Sequence, residues 1–481
     1  MMKSVIEGNL KCDQKEPSLL VTLTNIAKYG ILLYVIFAKE ILSMGDINKV
    51  EPRTLPGFME LLPNEQILFN QMKEKIQKSY EKFGFLPLDT PVLELGEVLL
   101  AKAGGETEKQ IYRFTKGDND LVMRFDLTVP LAKFVAEHYG ELGFPFRRYQ
   151  IGKVYRGERP QKGRFREFYQ CDIDIIGDGE LSIINDAEMP SVIYNTFKEL
   201  GFSEFVICIN NRKILNGIFR HLGLSDVSMD VMRIIDKLDK IGVEAVCSEL
   251  AKLDINEASI ETIKNFVLIQ GSTDEKLLAL DNLGIEDELF AEGLNELKEV
   301  VKYIRILKVP DTHFTVDLKI ARGLDYYTGT VYETFLTNYR NLGSVCSGGR
   351  YDNLAEFYTN KKLPGVGISI GLTRLFYQLN EANLINCDKK SIADVLVISM
   401  DDDLSDCLVA ATTFRENGIN AEVYLQDKKM KAKMKYADKL QIPFVVIIGD
   451  DERKAGKVTL KNMMSGDQKL VSVDEAIGLI K

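Results

Sequence analysis

Several arginines in this chain sit where a polyphosphate could be gripped. Arg156 and Arg164 stand at the two mouths of a loop, residues 157–163, inside a stretch (147–177) that reads as a long hairpin. Arg322 opens the run Arg322-Gly-Leu-Asp-Tyr-Tyr, and Arg374 follows Gly365-Val-Gly-Ile-Ser-Ile-Gly in the early turns of a helix. A guanidinium holds phosphate oxygens through two parallel hydrogen bonds, so three separated segments bearing arginine fit phosphoryl chemistry. The second hairpin arm alternates, with Tyr169, Cys171, Ile173 and Ile175 on one face and Phe168, Gln170, Asp172 and Asp174 on the other. The first face is fit for a core; the second offers a ring followed by amide and carboxylate groups. Asp126 and Thr128 end a short strand within residues 121–130, where they either converge on a ligand or cap the helix expected from about Val129.

These side chains need a scaffold. Leu68, Met72, Ile76, Tyr80 and Phe83 form one stripe of a helical pattern that Pro63 and Asn64 precede and Gly84 ends. Pro87 and Pro91 then mark an edge or interface strand, because proline cannot donate to a ladder. Residues 204–210 read as another strand. From 212 to 308 the pattern is helical, with Val231, Ile234, Ile235 and Leu238, then Leu294, Leu297, Val301 and Ile304, at three- and four-residue steps. Residues 317–336 return to the sheet, and Ser347-Gly-Gly-Arg-Tyr reads as a glycine turn letting backbone approach a ligand. After a polar linker near 386–391, apolar strands alternate with helices, which predicts a small parallel-type α/β domain. Its basic run, Lys428, Lys429, Lys431, Lys433 and Lys435, is either a solvated helix face or an RNA contact.

Composition limits the function classes. The chain has 481 residues, too many for one core, and a net charge of −10, so any nucleic-acid contact must rest on local basic patches. Seven scattered cysteines without a Cys-x-x-Cys pair predict reduced thiols, a cytoplasmic setting and no zinc knuckle. Three isolated histidines give no metal site and no histidine-based acid–base chemistry. The apolar run at 30–38 is bounded by Lys28 and Lys39 and is too short to span a bilayer.

The hairpin resembles motif 2 of the class II aminoacyl-tRNA synthetases, and Phe-Tyr-Gln-Cys-Asp-Ile-Asp-Ile-Ile-Gly resembles its version in the histidyl-tRNA synthetases. Arg322-Gly-Leu-Asp-Tyr-Tyr resembles the signature that sets that family apart, the prolines near 87–91 fall at motif 1, and the segment entering Arg374 resembles motif 3. The resemblance implies an α+β catalytic domain on an antiparallel sheet, with a helical insertion and a C-terminal α/β domain. The implied division is an N-terminal extension at 1–43, dispensable or spurious, then catalytic residues 44–211, insertion 212–308, catalytic residues 309–385 and an anticodon-binding domain at 391–481.

It also implies the reaction, in which histidine and ATP, with Mg2+, give histidyl-adenylate and the activated residue passes to the end of tRNA(His), in a homodimer. By resemblance Arg156 holds the α-phosphate, Arg164 the γ-phosphate, Arg374 lies by the nucleotide, Phe168 stacks on adenine and Arg322 is the catalytic cation. Asp126, Thr128 and Gln170 would hold the amino group; Asp174, Tyr326, Tyr327 and Arg322 would surround the rest of the histidine; Arg159, Gln161 and Arg166 would meet tRNA. Two rivals share parts of this pattern: a non-catalytic regulatory subunit of ATP phosphoribosyltransferase, and a synthetase for another amino acid.

Overall fold

In the computed structural model, the strands run in chain order β1 (Leu86–Pro87), β2 (Leu93–Leu95), β3 (Arg113–Lys116), β4 (Asn119–Met123), β5 (Phe146–Tyr155), β6 (Glu167–Ile176), β7 (Phe205–Asn211), β8 (Phe314–Val316), β9 (Thr330–Leu336), β10 (Cys346–Tyr351) and β11 (Gly365–Gly371). The structure describes residues 50–101, 109–159, 163–235, 237–320 and 327–481. Residues 1–55 form a separate unit, of which 50–55 are described and hold neither helix nor strand. The expectation for residues 1–43 lies outside the described residues.

Eight strands form one sheet in the order β1-β5-β6-β11-β10-β9-β7-β8. Its interior pairs are antiparallel, and only the edges, β1 on β5 and β8 on β7, are parallel. Leu86–Pro87 is an edge strand, in keeping with Pro87, and Pro91 follows it outside the ladder. The long β5–β6 hairpin follows from ten-residue arms in full register, Phe146 opposite Ile176 through Tyr155 opposite Glu167. Its apolar face, Cys171, Ile173 and Ile175, packs in one core with Ile76 and Tyr80 of the helix Pro63–Lys82 and Val192 and Phe197 of the helix Ile184–Leu200. Pro63 stands in the first turn, where its missing N–H is no loss, and Glu65 accepts from the Leu62 N–H at 2.9 Å. The Tyr80 hydroxyl donates to the Cys171 carbonyl at 3.0 Å, and Ser79 bonds Thr196 between the two helices. This leaves the opposite face of the sheet open.

Ser347-Gly-Gly-Arg-Tyr is a strand, not a turn. A Cβ on Gly348 would meet the Gly367 carbonyl oxygen at 2.1 Å, and one on Gly349 would meet Thr330 backbone and the Tyr327 ring. Crowding within the sheet, rather than chain reversal, requires glycine here. From Arg212–His221 to Glu288–Ile306 the chain is helical, and Leu294, Leu297, Val301 and Ile304 are buried.

Beyond residue 394 lies a five-stranded sheet of β12 (Val395–Ser399), β13 (Ala421–Val423), β14 (Phe444–Ile448), β15 (Val458–Asn462) and β16 (Gln468–Val471) in the order β13-β12-β14-β15-β16. The first three are parallel; β15 and β16 add antiparallel strands that the alternation of elements did not reveal. Lys433 is buried and donates to the Ser399 carbonyl at 2.8 Å, so it leaves the solvated lysine face. Among the described residues no helix is long and apolar enough to cross a membrane.

Candidate active site

The open face of the large sheet carries a cavity of about 420 Å³. Phe168, Gln170, Asp172 and Asp174 line it from β6, so the alternation read from the sequence is the alternation of the strand. Asp126 and Thr128 enter from the start of the helix Thr128–Glu137, Arg156 and Arg164 from the hairpin mouths, Tyr327 from before β9, and Arg374 from the helix after β11. Arg322, Tyr326 and Gln161 lie outside the described residues. Arg159 is exposed on the hairpin.

The two ends of the cavity differ in charge. At the inner end Arg148, fully buried on β5 opposite Asp174, binds the Asp174 carboxylate at 2.6 Å and the Leu127 carbonyl at 3.0 Å. Asp174 also accepts from the Tyr351 hydroxyl at 2.7 Å. Its carboxylate fits because its neighbour on β11 is Gly367, where a Cβ would fall 2.1 Å from Oδ1. Burial pushes Asp174 up to about 6 and Asp172 up to about 7, in both cases against the pull of Arg148. Asp126 is raised for the same reason, although the Val129 and Thr128 N–H groups and Arg156 oppose it. Asp126 is thus both things the sequence allowed: Oδ1 caps the helix, accepting from those N–H groups at 2.9 and 3.1 Å, and the side chain lines the cavity. Three carboxylates against Arg148, with Arg156 acting on Asp126, leave this end an excess of negative charge fit for an organic cation.

The outer end is cationic. Arg156 lies over the Phe125 and Phe168 rings, 4.3 and 5.1 Å from their centroids, and donates to the Phe125 carbonyl at 3.2 Å. Arg374 is held by the Leu342 carbonyl at 2.8 Å, while its buried Nε has no partner, and its guanidinium is held below the usual range by burial and by Arg164. Two arginines near enough to repel each other in a cavity ask for an anion between them. Arg164 reaches Glu158 at 3.3 Å, and Arg166 braces the hairpin, donating to the Glu158 carbonyl at 2.9 Å.

Sequence reasoning did not single out Arg148, Ser369, Tyr351 or Gly367. The last three carried a local signal, as parts of glycine-bearing segments; Arg148 looks like its neighbour Arg147, which points the other way and pairs with Glu188 at 2.8 Å.

Residues 57–375 match the family described as histidyl-tRNA synthetase, and residues 394–481 match the anticodon binding domain. The histidine–tRNA ligase of Clostridium tetani is 60% identical over 433 residues, 90% of this chain and 98% of that protein. The one from Finegoldia magna is 49% identical over 432 residues, 90% of this chain and all of that protein. The crystal structure of histidyl-tRNA synthetase from Nostoc sp. PCC 7120 superposes with a TM-score of 0.83 at 42% identity, covering 90% and 99% of the two chains. A Bacillus halodurans structure described as an ATP phosphoribosyltransferase regulatory subunit/histidyl-tRNA synthetase shares the fold, with a TM-score of 0.69 at 20% identity. A family match over residues 57–375 and identity of this extent along nearly the whole length of the relatives make the chain, with its cavity anionic at one end and cationic at the other, a member of the histidyl-tRNA synthetase family.

Proposed function

We propose that the cavity orders one histidine and one ATP along β6, and that its opposed charges align them for adenylate formation. The reaction is ATP-dependent: a histidine carboxylate oxygen attacks the α-phosphorus, pyrophosphate leaves, and a terminal ribose hydroxyl of tRNA(His) then attacks the adenylate carbonyl and releases AMP. Such displacement depends on alignment and on neutralising spreading negative charge more than on a protein nucleophile. The observation that carries this reading is the sequence of side chains on one strand face, Phe168, Gln170, Asp172 and Asp174, running from the cationic end to the anionic end.

Phe168 stacks on adenine, Arg156 holds the α-phosphate, Arg164 the γ-phosphate, and Arg374 lies by the nucleotide. Asp126, Thr128 and Gln170 take the α-ammonium. Asp174 accepts from the imidazole N–H, with Tyr326 and Tyr327 at the other nitrogen; a pocket so built rejects side chains that would leave its buried polar atoms unpaired. Arg322 is assigned as the catalytic cation. Mg2+ arrives on the triphosphate. It would be held mainly by the substrate phosphates, with Glu158 and Glu333, two of the carboxylates that line the cavity, as the side chains to meet it. The bound ion would neutralise charge on the outer phosphates. Arg159, Gln161 and Arg166 on the hairpin meet the acceptor end of tRNA, residues 391–481 meet the anticodon, and 212–308 form an inserted helical domain between catalytic segments 44–211 and 309–385. The protein works as a homodimer in the cytoplasm.

The regulatory-subunit reading is the less supported, because the chain matches ligases along nearly all their length and carries the anticodon-domain match. ATP–pyrophosphate exchange measured with each of the twenty amino acids decides the matter. Exchange stimulated by histidine alone is expected; absence of exchange, or stimulation by another amino acid, overturns the assignment.

A further inference from the structure

The floor of the cavity holds two buried acceptors without a partner, Gln170 Oε1 and Asp172 Oδ1. One hydroxyl stands beside both groups. Ser369 faces Asp172 in the β6–β11 register and accepts from Gln170 Nε2 at 2.7 Å. The amide's donor side is thus turned to Ser369, which leaves Oε1 as its acceptor next to Oδ1 of Asp172. Buried acceptors are rarely left unpaired, and a pair of them on a cavity floor marks the place of a donor. The third acceptor nearby, Asp126, has Oδ1 committed to two backbone N–H groups and offers only its second oxygen.

An ammonium group brings three donors and a fixed positive charge, which matches this set in number and in sign. We infer that Asp172 binds the α-ammonium of the amino acid together with Gln170, and that Ser369 is the positioning residue that aims both. The charge balance agrees: Arg148, with Arg156 acting on Asp126, faces the three carboxylates of Asp126, Asp172 and Asp174, so a cation entering the inner end relieves their mutual repulsion. The side chains on β6 then follow the substrate in order, with Asp172 between the amide that shares the ammonium and the carboxylate that meets the ring.

This inference rests on the histidine-activating reading, and the test separates the two. The KM for histidine is measured by ATP–pyrophosphate exchange in the full chain, and imidazolepropionate, which is histidine without its amine, serves as competitive inhibitor. Asp172→Asn should raise the histidine KM about 10- to 100-fold, the scale of a hydrogen bond to a charged group, while the inhibition constant of imidazolepropionate changes less than about threefold. Ser369→Ala should move the same two numbers in the same pattern, by about three- to tenfold for histidine, with the KM for ATP unchanged. It serves as the deciding variant if the asparagine protein does not fold. An unchanged histidine KM, or equal weakening of both ligands, overturns the role of Asp172 while leaving the function intact. A wild-type protein without histidine-dependent exchange overturns the function and this assignment with it.

Discussion

At the inner end of the cavity Asp126, Asp172 and Asp174 are each 6% exposed or less and stand on a strand or at a helix start, whereas at the outer end the Arg164 side chain is 60% exposed and stands on a hairpin mouth. The acidic groups are tied to Arg148, Tyr351 and backbone amides; Arg164 has one carboxylate at 3.3 Å, on the same hairpin. Selection among amino acids needs fixed, desolvated groups, because only a buried polar atom left unpaired penalises the wrong ligand heavily. Holding a triphosphate needs charge and reach, which exposed guanidiniums supply without a rigid seat. If this contrast is right, substitutions at the inner end strike folding and amino-acid choice, and those at the outer end strike ATP use alone.

The largest effect is expected at Arg148. Replacing it by Met removes the one guanidinium bonded to Asp174 and strands buried carboxylates, which should cost about 3–5 kcal/mol in urea unfolding at pH 8. The loss should shrink at pH 5, where the carboxylates can take up protons. A variant as stable as the wild type at pH 8 would break the comparison, since the inner end would then not depend on its buried pair. Next comes Asp174→Ala, expected to raise the histidine KM about 10- to 100-fold with the ATP KM within about twofold. Equal loss for both substrates would erase the division into two ends.

The acidity of the inner end gives a pH prediction of smaller size. Burial raises Asp172 to about 7 and Asp174 to about 6, both above the unfolded carboxylate range. The folded protein therefore holds more protons than the unfolded chain between roughly pH 4 and 7. That contribution to stability is fully present below pH 4 and is lost as the pH rises through 6 and 7, at no more than about 1.4 kcal/mol per pH unit for each group. With its ammonium on the ionised carboxylates, as proposed, histidine should oppose this by expelling protons, so its KM should rise as the pH falls below about 7. Urea unfolding of the free protein from pH 5 to 8 measures the first effect, and Asp172→Asn should flatten the curve. Stability that rises over this interval in the wild type and is indifferent to the asparagine would show that these carboxylates are not strained by burial.

How far these contrasts could be read from the sequence follows from what each depends on. The face of β6 was legible because a strand places alternate residues together whatever its neighbours are, and the helical stripes through Ile76, Tyr80, Leu294 and Leu297 for the same local reason. Arg148, Ser369 and Gly367 were not, because they reach the cavity through pairings with β6 from two other strands, and register between strands is a tertiary fact. Gly348 and Gly349 were misread as a turn since glycine pairs mark chain reversals in general; only the 2.1 Å approach of the Gly367 oxygen shows a crowded sheet instead. Strands β15 and β16 escaped because Thr459, Lys461, Asn462, Gln468 and Lys469 dilute the apolar signal on which the earlier strands of that domain were recognised. The roles of Arg322 and Tyr326 rest on resemblance, since they lie outside the described residues.

Arg164→Ala tests the outer end with the smallest structural cost. The side chain is mostly in solvent and its pairing with Glu158 is of the kind that contributes little, so urea unfolding should shift by no more than about 1 kcal/mol. The effect on ATP should be plain: removing the guanidinium proposed to hold the γ-phosphate is expected to raise the ATP KM about tenfold, as loss of one charged hydrogen bond does, while the histidine KM stays within about twofold. The wild-type ATP KM should also climb more steeply with added salt than that of the variant, because an exposed charge pair is screened within about 10 Å at 0.1 M ionic strength. The histidine KM, set by groups shielded from solvent, should respond weakly to salt in both. If the alanine protein loses histidine and ATP affinity alike, the hairpin mouth and the acidic floor act as one rigid unit, and the separation of selection from phosphate binding has to be abandoned.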